Sequence, residues 1–388
     1  MFLISIAVCI ASNGNSSLEV IFAQGGDRFM DFCNHISYVR SPKEVYFTNY
    51  NACFPPLIYF LYYFFSLILT PDATVMFDAY ATTSQALLLF IIYNVVIAIL
   101  LTHGTYSLLK GCCNDNLIIL YILSIVLSYT YIFGIVERGN SALIALILLI
   151  YAMYFNDSNE KWKQELALIL IALAAAIKIY PALFGIMYIK REKLCEAIRL
   201  VIYGLSFFLV PFLFFGGIRG FKQFIENQLT LQNGGYSGLG TISRICNYLN
   251  IPDKYIYIEI LVAMILLIFA FASVAKWEKA LTIVIMMMVL PKWSGGYMLI
   301  YPVLPMTLYF KELLENNYKI KKINYFQTVL FALIVNPIYF SLADIGDCNM
   351  PQILCCVSCY LLMIMQIGLF LKKKLFVKKY ILINREEV

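Results

Sequence analysis

The sequence predicts an all-α polytopic membrane protein: a single membrane domain over residues 1–388, with about ten to twelve helices. Three observations predict it. Hydrophobic residues make up 62% of the 388 positions and charged ones only 13%, with a mean hydropathy of +0.79, a balance that leaves too little polar surface for a water-soluble core. Apolar runs near the roughly 18–20 residues a spanning helix needs recur along the chain, at 85–102, 117–135, 200–215, 256–275 and 351–371. Lysine-rich segments at 160–163, 190–193, 311–322 and 372–379 punctuate them and mark the cytoplasmic side.

The net charge of +6 therefore reports topology, and no basic face suited to nucleic acid is present. Expected partners are the lipid bilayer and what it carries. The eleven cysteines are scattered, many inside apolar runs such as Leu354-Cys355-Cys356, and none has metal-ligand spacing. Cys33 and Cys53 are either an extracytoplasmic bridge or two free thiols. No metal and no cofactor is expected.

In chain order, the apolar stretch 2–11 lacks a preceding basic residue and is too short to span alone. It reads as a clipped first helix or, alternatively, a signal peptide. The polar segment 12–55 is the first outer loop. Within it, Asp27 to Val39 projected at 100° per residue places Asp27, Arg28, Asp31, Asn34, His35 and Tyr38 on one side. Phe29, Phe32, Cys33, Ile36 and Val39 fall on the other, the pattern of an interfacial amphipathic helix with its apolar face on the bilayer. Asp27 is equally explained as an acidic first-turn residue. Asp31 lies a turn further in and is the stronger candidate for facing a substrate.

Further along, Glu137-Arg138-Gly139-Asn140 turns between two apolar runs with no lysine cluster nearby, an outer-mouth turn carrying an ion pair. The apolar stretch 166–189 has basic loops on both sides and is too short for two full spans at about 1.5 Å per residue. A hairpin of two short helices broken at Lys178-Ile179-Tyr180-Pro181 resolves this, because proline cannot continue the hydrogen-bond ladder. A second outer loop covers 219–255, with a Gly-rich polar stretch and Arg244. Lys292 interrupts a late apolar run, and residues 372–388 form a basic cytoplasmic tail. Charge inside a membrane domain is rare and usually functional, although Lys178 and Lys292 can also snorkel.

The order of these motifs resembles a known family. Asp31-Phe32, then Cys53-Phe54-Pro55-Pro56-Leu57, then Glu137-Arg138-Gly139-Asn140 and Ala174-Ala175-Ala176-Ile177-Lys178-Ile179-Tyr180-Pro181 are similar to the first outer loop, the polar turn and the Lys-x-x-Pro break of C-type (GT-C) glycosyltransferases. The likeness is to glycosyltransferase family 87, polyprenol-phosphate-mannose-dependent mannosyltransferase-like proteins. It implies a GT-C-like bundle in the cell membrane and inverting transfer of a hexose, mannose in the family, on the outer face. The implied donor is a polyprenyl-phosphate-linked sugar and the acceptor a hydroxyl of a glycan or glycolipid.

By the same match Asp31 is the general base; Asp27 and His35, which the projection puts on the same polar side, are further candidates for catalysis or acceptor binding. Arg138, Lys178 and Lys292 are candidates for the donor phosphate, supported by Glu137, Asn140, Tyr180, Tyr297 and Arg244. Where family members carry a late histidine, this chain reads Pro291-Lys292-Trp293-Ser294-Gly295-Gly296-Tyr297, which leaves Lys292 and Tyr297 as substitutes. Two other classes fit a polytopic chain with polar outer loops. An O-antigen-polymerase-like enzyme would centre on arginine-rich outer loops, and 219–255 holds only Arg219 and Arg244. A transporter or flippase of lipid-linked substrates would carry midplane charges on paired broken helices.

Overall fold

A computed structural model describes residues 30–48, 52–69, 84–136, 138–189, 191–233, 240–292, 295–315, 321–336 and 350–386. Among the described residues the regular structure is helical, with no named strand. The chain divides into two compact units, Met1–Gly238 with Gly295–Tyr301, and Leu239–Ser294 with Pro302–Val388. The expectations for residues 2–11 and for Asp27, Arg28 and Glu137 lie outside the described residues.

In the first unit, α1 is Met30–Tyr38 and is followed by a 3-10 turn, Pro42–Phe47. α2, Pro56–Ile68, opens on Pro55-Pro56, where a missing N–H costs nothing because the first turn has no acceptor for it. α3 is Ser84–Leu109 and α4 is Asp115–Val126, the latter capped by Asn114, whose side chain accepts from the Asn116 N–H. The run 117–135 is not one helix. It stops after α4, restarts at the Ser128 cap, and passes through a π-helical turn, Ile132–Val136. Ser128 Oγ offers the Tyr131 N–H a local acceptor, which favours a new start over continuation.

α5, Ala142–Asn156, packs along α6, Lys161–Ile177, whose buried Ala172, Ala174 and Ala176 are small residues. The break expected at Lys178 is present. Lys178 is extended (φ −137°, ψ 130°), and the returning arm, Tyr180–Tyr188, is a 3-10 rather than an α-helix. Pro181 sits in its first turn, and a 3-10 helix rises about 2.0 Å per residue, so nine residues reach further than the same number in an α-helix. α7, Leu194–Leu209, runs into a 3-10 turn over Val210–Leu213, and α8 is Gly217–Asn233.

The second unit contains α9 (Ile242–Tyr248), α10 (Tyr255–Ala272), α11 (Lys276–Val289), α12 (Val303–Glu315), α13 (Lys322–Val335) and α14 (Met350–Glu386). α11 is its core, buried continuously from Ala280 to Val289. Trp277 packs edge-on against Tyr309, whose hydroxyl donates to α13 at the Asn324 carbonyl and Gln327. The two stretches read as second outer loop and basic tail contain helix. Much of 219–255 forms α8 to α10, and the basic segment after 372 continues α14, because nothing in it breaks a helix before Glu386.

Four helical segments among the described residues are long and apolar enough to cross a membrane: Leu88–Leu109, Leu194–Leu213, Pro252–Ala272 and Ile353–Lys372. Four shorter apolar helices accompany them, Pro56–Ile68, Asp115–Val126, Ala142–Asn156 and Lys322–Val335. The outward faces are aliphatic. On α3, Leu88, Ile91, Ile92, Val95, Val96 and Ile99 are exposed, while Phe90, Tyr93, Ile97 and Leu101 turn inward. On α10, Ile260, Leu261, Met264 and Ile268 are likewise exposed. Contiguous apolar faces of this kind are stable only with hydrocarbon as the solvent. The protein is an all-α polytopic membrane protein.

Candidate active site

The site is built on the first unit, from α1, the loop after it, the 136–142 turn and the break at Lys178. α1 is amphipathic as expected, but its apolar face does not lie on lipid. Phe32, Cys33, Ile36 and Val39 are almost fully buried against the protein. The Phe32 ring sits 5.1 Å from Tyr93, 5.3 Å from Phe90 and 5.6 Å from Phe65. Aromatic rings on α2 and α3 supply a better-matched surface than mobile lipid chains would.

The turn before α5 docks against α1. Phe32 N–H donates to the Arg138 carbonyl at 3.1 Å. Gly139 has φ +69°, and a Cβ there would meet Phe32 Cβ at 2.7 Å and a Phe90 ring carbon at 2.8 Å. Only glycine satisfies both the left-handed backbone and this approach.

Close docking brings three groups onto one carboxylate. Arg138 donates to Asp31 through Nε (3.2 Å, to Oδ2) and Nη2 (3.0 Å, to Oδ1), a two-pronged grip. Asn140 Nδ2 donates to Oδ2 at 2.5 Å, and its own Oδ1 accepts the Ala142 N–H at the start of α5. Asp31 retains 15% side-chain exposure and Arg138 26%. Burial pushes the Asp31 carboxyl above its ordinary value, against the opposing pulls of the Lys178 charge and the Asn140 hydrogen bond.

Lys178, only 4% exposed, is held by the break that ends α6. Its Nζ lies 3.4 Å from the Phe54 ring centroid and 4.9 Å from that of Tyr297. Among the described residues it has no ion-pair or hydrogen-bond acceptor, so two aromatic faces are its immediate partners. Phe54 also stacks on His35 at 4.0 Å. His35 is enclosed further by Tyr59 and Tyr62, and its Nδ1 is buried without a partner. Burial, followed by the Lys178 charge, holds its imidazole well below the usual range and therefore neutral. Tyr180 and Tyr297 lie near each other, and the Tyr297 ring is beside Lys178.

Asp31, His35, Arg138, Asn140, Lys178, Tyr180 and Tyr297 thus belong to one cluster. Lys292 and Arg244 lie in the second unit. Lys292 Nζ is 5.9 Å from the Tyr255 ring, and Arg244 reaches Tyr248 on its own helix. Cys33 and Cys53 are free thiols. No group of three or more His, Cys, Asp or Glu that could hold a metal ion occurs among the described residues.

Three site residues were not legible beforehand. Phe54 reads as part of a proline-flanked entry to α2 and becomes the partner of Lys178. Asn227 and Gln228, on α8, hold the loop that delivers it. Asn227 Nδ2 donates to the Tyr46 and Ala52 carbonyls, both at 2.9 Å, and Gln228 donates to the Cys53 carbonyl. The signal available was the adjacent Asn-Gln pair at 227–228, which names no partner by itself. These bonds join the two polar segments that the lysine pattern assigns to one side.

No curated protein and no solved structure matches this chain. The family model described as glycosyltransferase family 87 matches residues 53–301. The match includes Phe54, Arg138, Asn140, Lys178, Tyr180 and Tyr297, while Asp31 precedes it. With well over half its length matched, and with the matched turn and break bringing Arg138 and Asn140 onto one partly buried carboxylate and holding one buried ammonium, the chain belongs to glycosyltransferase family 87.

Proposed function

We propose that this glycosyltransferase moves a hexose, mannose by family likeness, from a polyprenyl-phosphate-linked donor to a hydroxyl of a glycan or glycolipid acceptor. The site faces the outer side of the cell membrane. The observation that carries the reading is the proximity of a partly buried carboxylate, Asp31, to a buried ammonium, Lys178, that forms no ion pair among the described residues. Asp31 is gripped by Arg138 and meets the Lys178 charge only at longer range, so a ligand phosphate would supply the direct partner that a buried ammonium needs.

In the proposed reaction the acceptor oxygen attacks the anomeric carbon as Asp31 takes its proton. The bond from the anomeric carbon to the phosphate oxygen breaks, and the leaving phosphate carries away the bonding pair. Lys178 and Arg138 meet the charge developing on that oxygen. A single displacement of this kind inverts the anomeric centre. Asn140 orients the carboxylate, Tyr180 and Tyr297 border the ammonium, and His35, being neutral, serves as a wall and not as a second base.

The second-unit residues Lys292 and Arg244, and also Asp27 and Glu137, remain proposals from the sequence alone. Family membership favours transfer over the polymerase-like and transporter readings. The test is Asp31→Asn, assayed for sugar transfer from a polyprenyl-phosphate donor in membranes. A fall of about 10²–10⁴-fold is expected for loss of a general base, and unchanged turnover would remove Asp31 from the role.

A further inference from the structure

A second feature of the first unit lies apart from the Asp31 cluster. A groove of about 420 Å³ is lined by Phe47, Ile218, Arg219, Lys222, Gln223 and Glu226. It opens just beyond Leu194–Leu213, a candidate span with only 17% of its apolar window buried. The outward stripe of that span, through Ile198, Val201, Leu205 and Leu209, leads to Leu213 at 81% exposure and Ile218 at 78%. Side chains this apolar and this exposed belong against hydrocarbon. Arg219 and Lys222 follow immediately, one turn apart on α8, at the level where a headgroup sits above the chains.

Neither cation has an ion-pair partner among the described residues, although Glu226 stands one turn beyond Lys222 on the same helix. Arg219 is ordered all the same. Its guanidinium carbon lies 4.3 Å over the Phe47 ring centroid, a cation–π contact that localises the group while its N–H donors stay available to a ligand. The groove wall is anchored too, since Gln223 donates to Asn227, the residue that holds the Tyr46 and Ala52 carbonyls. A merely solvated basic face needs neither the adjoining aliphatic stripe nor an arginine held over an aromatic ring.

We propose that this groove binds the phosphate-bearing headgroup of an anionic membrane phospholipid, with the phosphate between Arg219 and Lys222 and the acyl chains along the outward face of α7. The site is separate from the Lys178 centre, and its occupancy does not depend on the sugar-transfer reading.

The experiment uses the full-length protein in phosphatidylcholine nanodiscs doped with photo-crosslinking phosphatidic acid or, in parallel, photo-crosslinking phosphatidylcholine, with labelled peptides mapped by mass spectrometry. Phosphatidic acid should label the 210–226 segment about 5- to 30-fold more than phosphatidylcholine, the range for one to two fully effective interfacial cations. Arg219→Gln with Lys222→Gln should abolish that preference, and Glu226→Gln should increase it. All three positions are exposed, and an unchanged melting temperature of each variant confirms folding. Equal labelling by the two lipids in the wild type, or a preference that survives the double substitution, would overturn the proposal. So would full displacement of the label by inorganic phosphate, which would make the ligand a soluble anion.

Discussion

Arg138 grips Asp31 with two hydrogen bonds, 3.0 and 3.2 Å, between residues 107 positions apart in sequence. The fork geometry matters more than the charge alone, because lysine presents a point charge and cannot bond both carboxylate oxygens in one plane. Arg138→Lys should therefore keep the protein folded yet lower transfer by at least about tenfold. Arg138→Leu should also destabilise it, by about 1–3 kcal/mol, as a partly buried carboxylate loses its main partner. Transfer kinetics alongside denaturant unfolding in detergent separate the two effects.

A pH profile tests the proposed base. The folded-state pKa of Asp31 is raised above its ordinary value of 3.8, chiefly by burial. A base is competent only when deprotonated, so activity should be lost as pH falls through that raised value. The acid limb of kcat/KM should accordingly lie above the position an exposed aspartate would give. Any residual activity in Asp31→Asn should lack this limb.

Phe54 should act through the donor. Its ring lies 3.4 Å from the Lys178 ammonium, a contact of about 0.5–2 kcal/mol. Phe54→Leu should raise donor KM by roughly 3- to 30-fold at that energy, with a smaller change in kcat. Phe54→Trp should retain affinity, since its ring also presents a negative face. An equal loss in both variants would make Phe54 a packing residue only.

Gly139→Ala should destabilise the protein by about 1–3 kcal/mol, the cost of a non-glycine residue forced to positive φ and a tight approach. The clash is with Phe32 and Phe90, neighbours of Asp31 and not donor contacts. Both the melting temperature and kcat should fall, and a variant as stable as the parent would contradict the close docking of this turn on α1.

Fold class and several site residues were legible in the sequence because they depend on local rules. Hydropathy over a helical window reports the solvent a helix meets, Lys178-Ile179-Tyr180-Pro181 must interrupt a helix, and a charge in an apolar chain needs a partner. The break and the polar turn at Arg138 to Asn140 are where those rules place them. Other features answer to surfaces distant in sequence. The apolar face of α1 could have met lipid or protein, and the rings of Phe65, Phe90 and Tyr93 decided it. Arg138, legible as a phosphate ligand, is held by Asp31 because the Gly139 turn brings the two together. Phe54 faces Lys178 because Asn227 and Gln228 on α8 bind the carbonyls of Ala52 and Cys53 just before it. The sequence by itself determined that this chain lives in a membrane and carries a carboxylate and cations it must account for. Which of them meet was decided only by tertiary packing, since partner choice is set by side chains many residues apart that no local pattern relates.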